Sequence, residues 1–435
     1  MNPSSGQIAS PIPNKQTKGT SRRRLNVGVV VTELLEGRFV PWEKSLQWES
    51  YLDFYCLALA RRGHTCVKYV PSLDVDLPKA YVHSFGHTVK RIPVYGTILA
   101  PSAILRPRKY EAGYTTIFRQ LLGPTFTLNL VKEAAADRMD ILHFSSYYSL
   151  FFVPSFLASS RFVTVTQYTG GSLPVGRAAR MAWTVMLTPG LRAAKAVLLG
   201  DYRSEIQDIT RYLRVPRRKL KEFDAPVFDE DVFHEMERTE SQKTVGFDAA
   251  KLNILSVTFL PSRHSIGLAK NPFLMVDIYD EAVRLGLKDC ALHIVGWGPG
   301  ELELRDYVKG KGLSSSVTVH GYVQHRRLPP YYSASDLVFL PYPLERLNEG
   351  SATIEAFACG RPVAAFKRHA TDETEQYGGL LVDTDPKVGG ETLMNYVKRG
   401  EFLLRKGREG QEFSSQFTLE VAGRRLEEIY REALL

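Results

Sequence analysis

Residues 349–363 read EGSATIEAFACGRPV, and the pattern of this stretch decides the fold class. The apolar run before it ends at Pro341, and Gly350 opens a series of small and apolar residues with helical spacing. Gly360 ends the predicted helix, and Pro362 begins another apolar run. The stretch therefore predicts a strand, a loop, a helix and a strand, which is the repeating unit of a parallel α/β sheet.

The start of this predicted helix is suited to bind an anion. Gly350, Ser351 and Ala352 place backbone N–H groups near the helix N-terminus, where the helix dipole favours negative charge. Glu355 lies one turn further on, within reach of a sugar hydroxyl beside a bound phosphate. An ordinary strand–loop–helix unit with solvated glutamates explains the same residues, so the stretch alone leaves both interpretations open.

Strands and helices alternate through the rest of the C-terminal half. The apolar patterns predict strands at 252–259, 291–295, 317–319, 337–340 and 362–366, and helices at 272–285, 301–311, 331–335 and 353–359. We therefore expect a C-terminal domain at 246–411 with a parallel, doubly wound sheet. The polar residues 236–250 lack apolar periodicity and are interpreted as an interdomain linker.

The N-terminal half predicts a second domain of the same architecture at 25–240. Its patterns favour strands at 25–31, 65–70, 140–144, 162–166 and 196–199, and helices at 48–62 and 126–136. Residues 71–125 carry many aromatic, proline and basic residues and give no clear pattern. Since ligands bind at the carboxyl ends of parallel strands, the cleft between the two domains is the expected site.

Composition indicates a globular protein with a basic N-terminal tail. The chain has 435 residues, of which 44% are hydrophobic and 24% charged, and no run approaches the length of a membrane span. Five of its nine excess positive charges lie in residues 1–24, which leaves +4 for the rest. We expect that tail to be disordered, and either solvated or in contact with anionic lipid. Nucleic acid is the least expected partner because the charge is confined to the tail.

The cysteines and the N-terminus favour a cytoplasmic protein. Cys56, Cys66, Cys290 and Cys359 each lie in an apolar pattern, without the spacing of a metal-binding pair. The N-terminus has no apolar core of the signal-peptide kind. The basic, aromatic stretch at 90–110 suggests peripheral contact with the inner face of a membrane. No metal site is expected.

In the stretch at 349–363 and in seven other segments, the chain resembles the retaining family 4 glycosyltransferases of GT-B fold. This superfamily includes glycogen-synthase-like and mannosyltransferase-like enzymes. The matching segments keep the family's order and lie at 59–64, 140–143, 215–220, 293–299, 319–323, 331–336 and 417–435. The resemblance covers about residues 25–435 and implies two Rossmann-like domains facing across a cleft. It also implies that a C-terminal helix, at 412–435, crosses back to the N-terminal domain.

The resemblance implies a role for each matched position on the donor side. Arg263 and Lys270 would neutralise the diphosphate leaving group, and Glu349 would contact the donor sugar. Glu355 would bind the donor ribose. The diphosphate would lie on the amides around Ser351, Ala352 and Thr353, and the base pocket would be shaped by Gly296, Tyr322 and Val323.

The chain departs from the family pattern at several points. The family's two signature glutamates have seven residues between them, whereas Glu349 and Glu355 have five, and Leu347 occupies the seven-residue position. Glu345 is a second candidate for the sugar contact. On the acceptor side, the residues expected to line the cleft are Gly37, Arg38, His143, Thr169 and Gly170.

The predicted activity is transfer of a sugar from a nucleoside diphosphate to a hydroxyl acceptor with retention of anomeric configuration. The resemblance implies no cofactor and no metal, with a UDP- or GDP-linked donor and a glycan, lipid-linked or small-molecule acceptor. A weakened GT-B scaffold that binds sugar nucleotides as a regulator is the main alternative. An epimerase or a phosphorylase shares the architecture, but no pyridoxal lysine is identifiable.

Overall fold

We analysed a computed structural model of the full chain. It describes residues 23–31, 51–72, 78–93, 124–146, 152–168, 177–200, 206, 209–223, 227–263, 270–343, 350–367 and 377–435. The predicted basic tail at 1–24, except for Arg23 and Arg24, lies outside these ranges. Most of the basic stretch at 90–110 does so as well.

The N-terminal domain is built on a mostly parallel sheet. Its strands are β1 (Asn26–Val31), β2 (Thr65–Ser72), β3 (Ala80–Val82), β4 (Thr88–Pro93), β5 (Ile141–Ser146), β6 (Val163–Tyr168), β7 (Ala196–Leu199) and β8 (Leu220–Glu222). They lie in the order β3-β4-β2-β1-β5-β6-β7-β8. Only the β3–β4 pair among them is antiparallel, and it forms one edge of the sheet.

Helices cover both faces of this sheet, namely α1 (Tyr51–Arg61), α2 (Pro124–Ala136), α3 (Phe152–Ala158) and α4 (Arg177–Ala193). Successive β1 residues alternate between the faces, so that Val29 packs in the core with α1 and Val30 packs in the core with α2. Both faces are therefore buried, which explains why β1 consists almost wholly of apolar residues.

The C-terminal domain has a wholly parallel sheet. Its strands are β9 (Leu252–Val257), β10 (Cys290–Val295), β11 (Val317–Gly321), β12 (Leu337–Pro343), β13 (Val363–Phe366) and β14 (Gly379–Val382), in the order β11-β10-β9-β12-β13-β14. The chain order reverses between β9 and β12, and ligands of open α/β sheets bind at such a reversal. The helices are α5 (Arg238–Val245), α6 (Pro272–Arg284), α7 (Glu301–Gly310), α8 (Pro329–Ala334), α9 (Ser351–Ala358), α10 (Pro386–Val397) and α11 (Gly400–Ser414).

The interpretation of 236–250 as a linker is wrong, because this segment contains helix α5. The Glu237 side chain caps the helix by accepting hydrogen bonds from the backbone amides of Thr239 and Glu240. The Phe247 ring then stacks on His293 of β10 with 3.6 Å between the ring centroids. The segment therefore belongs to the C-terminal domain. Its helix escaped prediction because the buried helical positions carry Ser241 and Gln242 instead of apolar residues.

The last helix, α12 (Leu419–Leu434), crosses back to the N-terminal domain as expected. Leu426 lies in the core with α1, and Glu427 accepts a hydrogen bond from Arg62 at 2.7 Å. A Cβ at Gly423 would lie 2.9 Å from the carbonyl oxygen of Ala58, so glycine permits the close approach of the two helices. The two domains are thus joined by a buried helix contact as well as by the chain.

The described helices include none that is long and apolar enough to cross a membrane. The cysteines at positions 56, 66, 290 and 359 are all free and buried.

Candidate functional site

The carboxyl ends of β9, β10, β11 and β12 meet at one edge of the C-terminal sheet. The backbone amide of Gly296, after β10, donates to the carbonyl of Gly321 at the end of β11 at 2.9 Å. The amide of Asn271 donates to Pro341 in β12 at 2.7 Å. All the described donor-side candidates follow one of these four strands. The fold therefore brings these residues to the same edge of the sheet.

Helix α9 begins at this edge, after β12. Gly350 is its N-cap residue, and it makes no side-chain capping bond. Ser351 is exposed, and the first turn carries no acidic residue. A Cβ on Gly350 would lie 2.9 Å from the Tyr342 hydroxyl, so glycine lets the helix start approach β12 closely. The helix dipole favours negative charge at this point, beside β12.

The Glu355 carboxylate, one turn into α9, is fixed by two protein donors. Glu355 is 2% exposed. His325 Nε2 donates to Oε1 at 2.8 Å, and the Tyr332 hydroxyl donates to Oε2 at 3.0 Å. Burial and the neighbouring Glu355 raise the pKa of Tyr332 well above its ordinary value, so the phenol remains a donor. Each carboxylate oxygen retains a second acceptor position for a ligand hydroxyl.

Lys270 lies against the same helix start. Its Nζ is 5.3 Å from the centre of the Tyr342 ring, whose hydroxyl neighbours Gly350. Burial of its ammonium lowers the pKa of Lys270, although much of the residue is exposed. Within the described ranges no carboxylate pairs with this ammonium.

Arg263 packs on α7. Its guanidinium packs over Tyr307 of α7, 4.8 Å from the ring centre, and it is exposed. Its backbone amide donates to Glu303 at 2.9 Å. In this arrangement Arg263 contacts rings of α6 and α7, whereas Lys270 contacts the ring of Tyr342 in β12.

The turn after β10 is closely packed against the segment after β9. A Cβ on Gly296 would lie 1.8 Å from the carbonyl oxygen of Thr258, so no other residue fits there without movement of the backbone. Tyr322 and Val323 follow β11 beside this turn, and Tyr322 is 48% exposed. These residues form a wall at the same edge as α9.

Several candidates lie outside the described residues, namely Gly37, Arg38, Thr169, Gly170, Glu345, Leu347 and Glu349. The Thr353 side chain is described and fully buried, and its hydroxyl has no hydrogen-bond partner among the described residues. Ala352 is buried at 9% exposure. The side chains of Ala352 and Thr353 therefore serve packing, and the Thr353 backbone amide donates to the Gly350 carbonyl at 3.0 Å.

His143 does not line a cleft, in contrast to the expectation. It lies in the middle of β5 and is fully buried. Its Nδ1 is 2.7 Å from the Tyr430 hydroxyl of α12, and its ring stacks on Tyr55 of α1. Burial lowers the pKa of His143 to about 3, so the ring is neutral at pH 7. The residue therefore holds the crossing helix against the N-terminal domain.

A buried ion cluster in the N-terminal domain was not predicted. Asp53, His83 and His87 place ligand-type atoms within 4.8 Å of one another, which satisfies the distances of a metal site. Lys68 Nζ, however, lies 2.7 Å from both oxygens of Asp53. His83 Nδ1 accepts a bond from the Phe85 amide, whereas a metal-bound histidine donates from its second nitrogen. These contacts fit an ion pair with histidine donors better than a metal centre.

Comparison with known proteins agrees with this architecture. Residues 267–395 match the family model described as "Glycosyl transferases group 1". The chain is 26% identical over 251 residues to alpha-D-kanosaminyltransferase from Streptomyces kanamyceticus, covering 56% of this chain and 61% of that protein. It is 31% identical over 116 residues to 2-deoxystreptamine N-acetyl-D-glucosaminyltransferase from Streptomyces fradiae, covering 27% of this chain and 24% of that protein. The chain thus spans less than two thirds of the curated relatives it matches.

Solved structures match over nearly the whole chain. Sucrose-phosphate synthase from Thermosynechococcus elongatus superposes with a TM-score of 0.67 at 16% identity, covering 94% of this chain and 99% of that one. HepE from Anabaena in complex with UDP superposes with a TM-score of 0.61 at 16% identity, covering 93% and 98%. With the two parallel α/β domains and the crossing helix, these likenesses show that the chain has the GT-B fold.

Proposed function

We propose that this GT-B protein is a glycosyltransferase that moves a sugar from a nucleoside-diphosphate sugar to a hydroxyl acceptor. The observation that carries the proposal is the start of α9, with the fixed Glu355 carboxylate one turn further on. A diphosphate on the α9 amides would place the donor ribose near that carboxylate. The family model that matches residues 267–395 and the names of the relatives support the same activity.

The charges at the site suit departure of a nucleoside diphosphate. Cleavage of the sugar–phosphate bond builds negative charge on the departing oxygen, and fixed donors and cations stabilise that charge. We assign the α9 amides to the leaving group, together with Lys270, which contacts Tyr342 beside Gly350. Arg263 would join them only by turning away from Tyr307, so we assign it the smaller share.

We propose retention of anomeric configuration and no requirement for a metal. The α9 amides and Lys270 would stabilise the negative charge of the leaving diphosphate, as a divalent cation does in other transferases. For the base we assign the wall formed by Gly296, Tyr322 and Val323, and we favour a uridine or guanosine nucleotide. Support for uridine comes from the HepE structure, which is a complex with UDP.

The acceptor would enter from the N-terminal domain, where Gly37, Arg38, Thr169 and Gly170 remain the proposed lining. Glu349 remains the proposed sugar contact, with Glu345 as its alternative. Leu347 stands where the family has its first signature glutamate, and this observation favours the second candidate, a sugar-nucleotide-binding protein without turnover. Location in the cytoplasm, with peripheral contact to a membrane through the basic stretch, remains a proposal.

The direct test is turnover of sugar nucleotides. We expect release of the nucleoside diphosphate from at least one UDP-, GDP- or ADP-linked hexose, measured with and without a panel of hydroxyl acceptors. Proton NMR of the product would then give the anomeric configuration, and retention predicts an α-linked product from an α-linked donor. Binding of the sugar nucleotide without release of diphosphate would instead support the regulatory alternative.

A further inference from the structure

The segment after β11 connects the donor-side carboxylate to the N-terminal domain. His325, which donates to Glu355, packs its ring against Phe54 in the first turn of α1, with 5.6 Å between ring centroids. Its ring also lies 4.8 Å from that of Phe233, in the chain segment that joins the two domains. The donor of the Glu355 hydrogen bond is thus held between residues of both domains.

The neighbouring Arg326 makes a second contact between the domains. Its guanidinium lies 4.8 Å from the centre of the Phe85 ring, in the turn between β3 and β4. It also lies 3.8 Å from Asp229, which pairs with Arg61 of α1 at 2.7 Å. The backbone that carries His325 is therefore attached to the N-terminal domain on two sides.

The surface that His325 meets on the N-terminal domain is rigidly built. Phe54 packs on Phe85 at 5.2 Å, and Phe54 is 4% exposed. Asp53, beside Phe54, binds Lys68 at 2.7 Å and His87 at 3.0 Å. Burial raises the pKa of Asp53, but the charges of Lys68 and the histidines outweigh it and hold that pKa below its ordinary value. The ion cluster thus fixes the first turn of α1 and the β3–β4 turn in one place.

We propose that His325 is a positioning residue that orients Glu355 for the ribose hydroxyls of the donor, and that Phe54 of the N-terminal domain holds His325 in that orientation. The inference rests on the proposed function. The hydrogen bond from His325 to Glu355, at 2.8 Å, needs one orientation of the imidazole. The rings of Phe54 and Phe233 limit the imidazole to that orientation. Affinity for the donor ribose therefore depends on contact between the two domains.

The test compares a nucleoside diphosphate with its 2′,3′-dideoxy analogue, using whichever of UDP, GDP and ADP binds the wild type most tightly. The ratio of the two dissociation constants measures the hydroxyl contacts alone. We expect a ratio of about tenfold or more in the wild type. The ratio should fall to about twofold in His325→Ala and should decrease in Phe54→Leu, whereas His325→Gln, which keeps an N–H donor, should recover part of it.

Phe126→Leu is the matched control, since Phe126 is fully buried in the N-terminal domain but belongs to a different core. It should lower stability as Phe54→Leu does and leave the ratio unchanged. Wild-type ratios in both His325→Ala and Phe54→Leu would overturn the inference and leave the proposed function intact. Failure of the wild type to bind any of the three nucleotides would refute the proposed function and the inference with it.

Discussion

Glu355→Gln is the substitution that should separate donor binding from folding most clearly. The change keeps the size and shape of the side chain and removes its charge. Two donors, His325 and Tyr332, meet the two carboxylate oxygens at 2.8 and 3.0 Å. A glutamine amide offers one oxygen and one NH₂ group, so one of these partners would have to become an acceptor, and both hydrogen bonds to a charged group would be lost.

The magnitude follows from the hydrogen bonds lost. A hydrogen bond to a charged group contributes about 1.5–3 kcal/mol, and removal of a buried charge offsets part of its loss. We therefore expect Glu355→Gln to lower the free energy of unfolding by about 1–2 kcal/mol. A ribose hydroxyl bound to the carboxylate would lose about the same 1.5–3 kcal/mol, which corresponds to binding about 10- to 150-fold weaker.

The assay is titration calorimetry of the nucleoside diphosphate, with urea unfolding of the same samples. Asp336→Asn is the matched control, because Asp336 also accepts two bonds, from the Asn253 amide and from Arg238, each at 2.8 Å. Asp336 directly precedes β12, so it lies at the amino ends of the strands, whereas the start of α9 lies at their carboxyl ends. We expect that variant to lose stability and to bind the nucleotide as the wild type does.

Equal loss of affinity in Glu355→Gln and Asp336→Asn would refute the reasoning, because it would mean that both act through stability. Wild-type affinity in Glu355→Gln would remove the ribose assignment altogether.

Three further predictions concern Lys270, Glu427 and Thr353. Lys270→Met should lower kcat by about 100- to 1,000-fold with little change in urea unfolding, since none of the described carboxylates pairs with this ammonium; a kcat within threefold of wild type would contradict the leaving-group role. Burial opposes ionisation of Glu427, but hydrogen bonds from Arg431 and Arg62 outweigh it and lower the pKa of Glu427 to about 2. The stability from this depressed pKa is present above the unfolded value near 4.5 and is lost as the pH falls towards 2. Glu427→Gln should therefore cost about 1–2 kcal/mol at pH 7 and progressively less below pH 4.5, measured by urea unfolding across that range; a cost independent of pH would contradict the ion pairing. Thr353→Val should raise the free energy of unfolding by about 1 kcal/mol, because the buried hydroxyl has no partner among the described residues, and should leave nucleotide affinity within about twofold. A large loss of affinity would show that the hydroxyl, rather than the backbone, holds the diphosphate.

The central strands of both sheets could be predicted because burial on two faces leaves a simple apolar signal. β10 is buried at every position, and its apolar sequence CALHIV predicts a strand directly. Strand β4, second from the edge of the N-terminal sheet, has the sequence TVKRIP, and its buried Arg91 and half-buried Lys90 hide the apolar pattern. Those charges are tolerated because Lys90 pairs with Asp137 at 2.7 Å, a partner 47 residues away that no local window contains.

The donor side was predictable in part, because a helix start after a strand is a local feature. The position of α9 and of Glu355 follows from glycine, small residues and spacing. His325 escaped prediction, since its contact with Glu355 spans 30 residues and its contact with Phe54 joins two domains. The expectation that His143 lines the cleft was wrong because β5 continues to Ser146, so position 143 lies inside the sheet and not at the end of the strand.

A crystal structure of the protein with UDP or GDP, whichever binds, would show where the nucleotide lies. We expect a diphosphate on the backbone amides that open α9, the Lys270 ammonium beside it, and a ribose hydroxyl within hydrogen-bond distance of Glu355. A nucleotide bound elsewhere, with the start of α9 empty, would refute the proposed donor site.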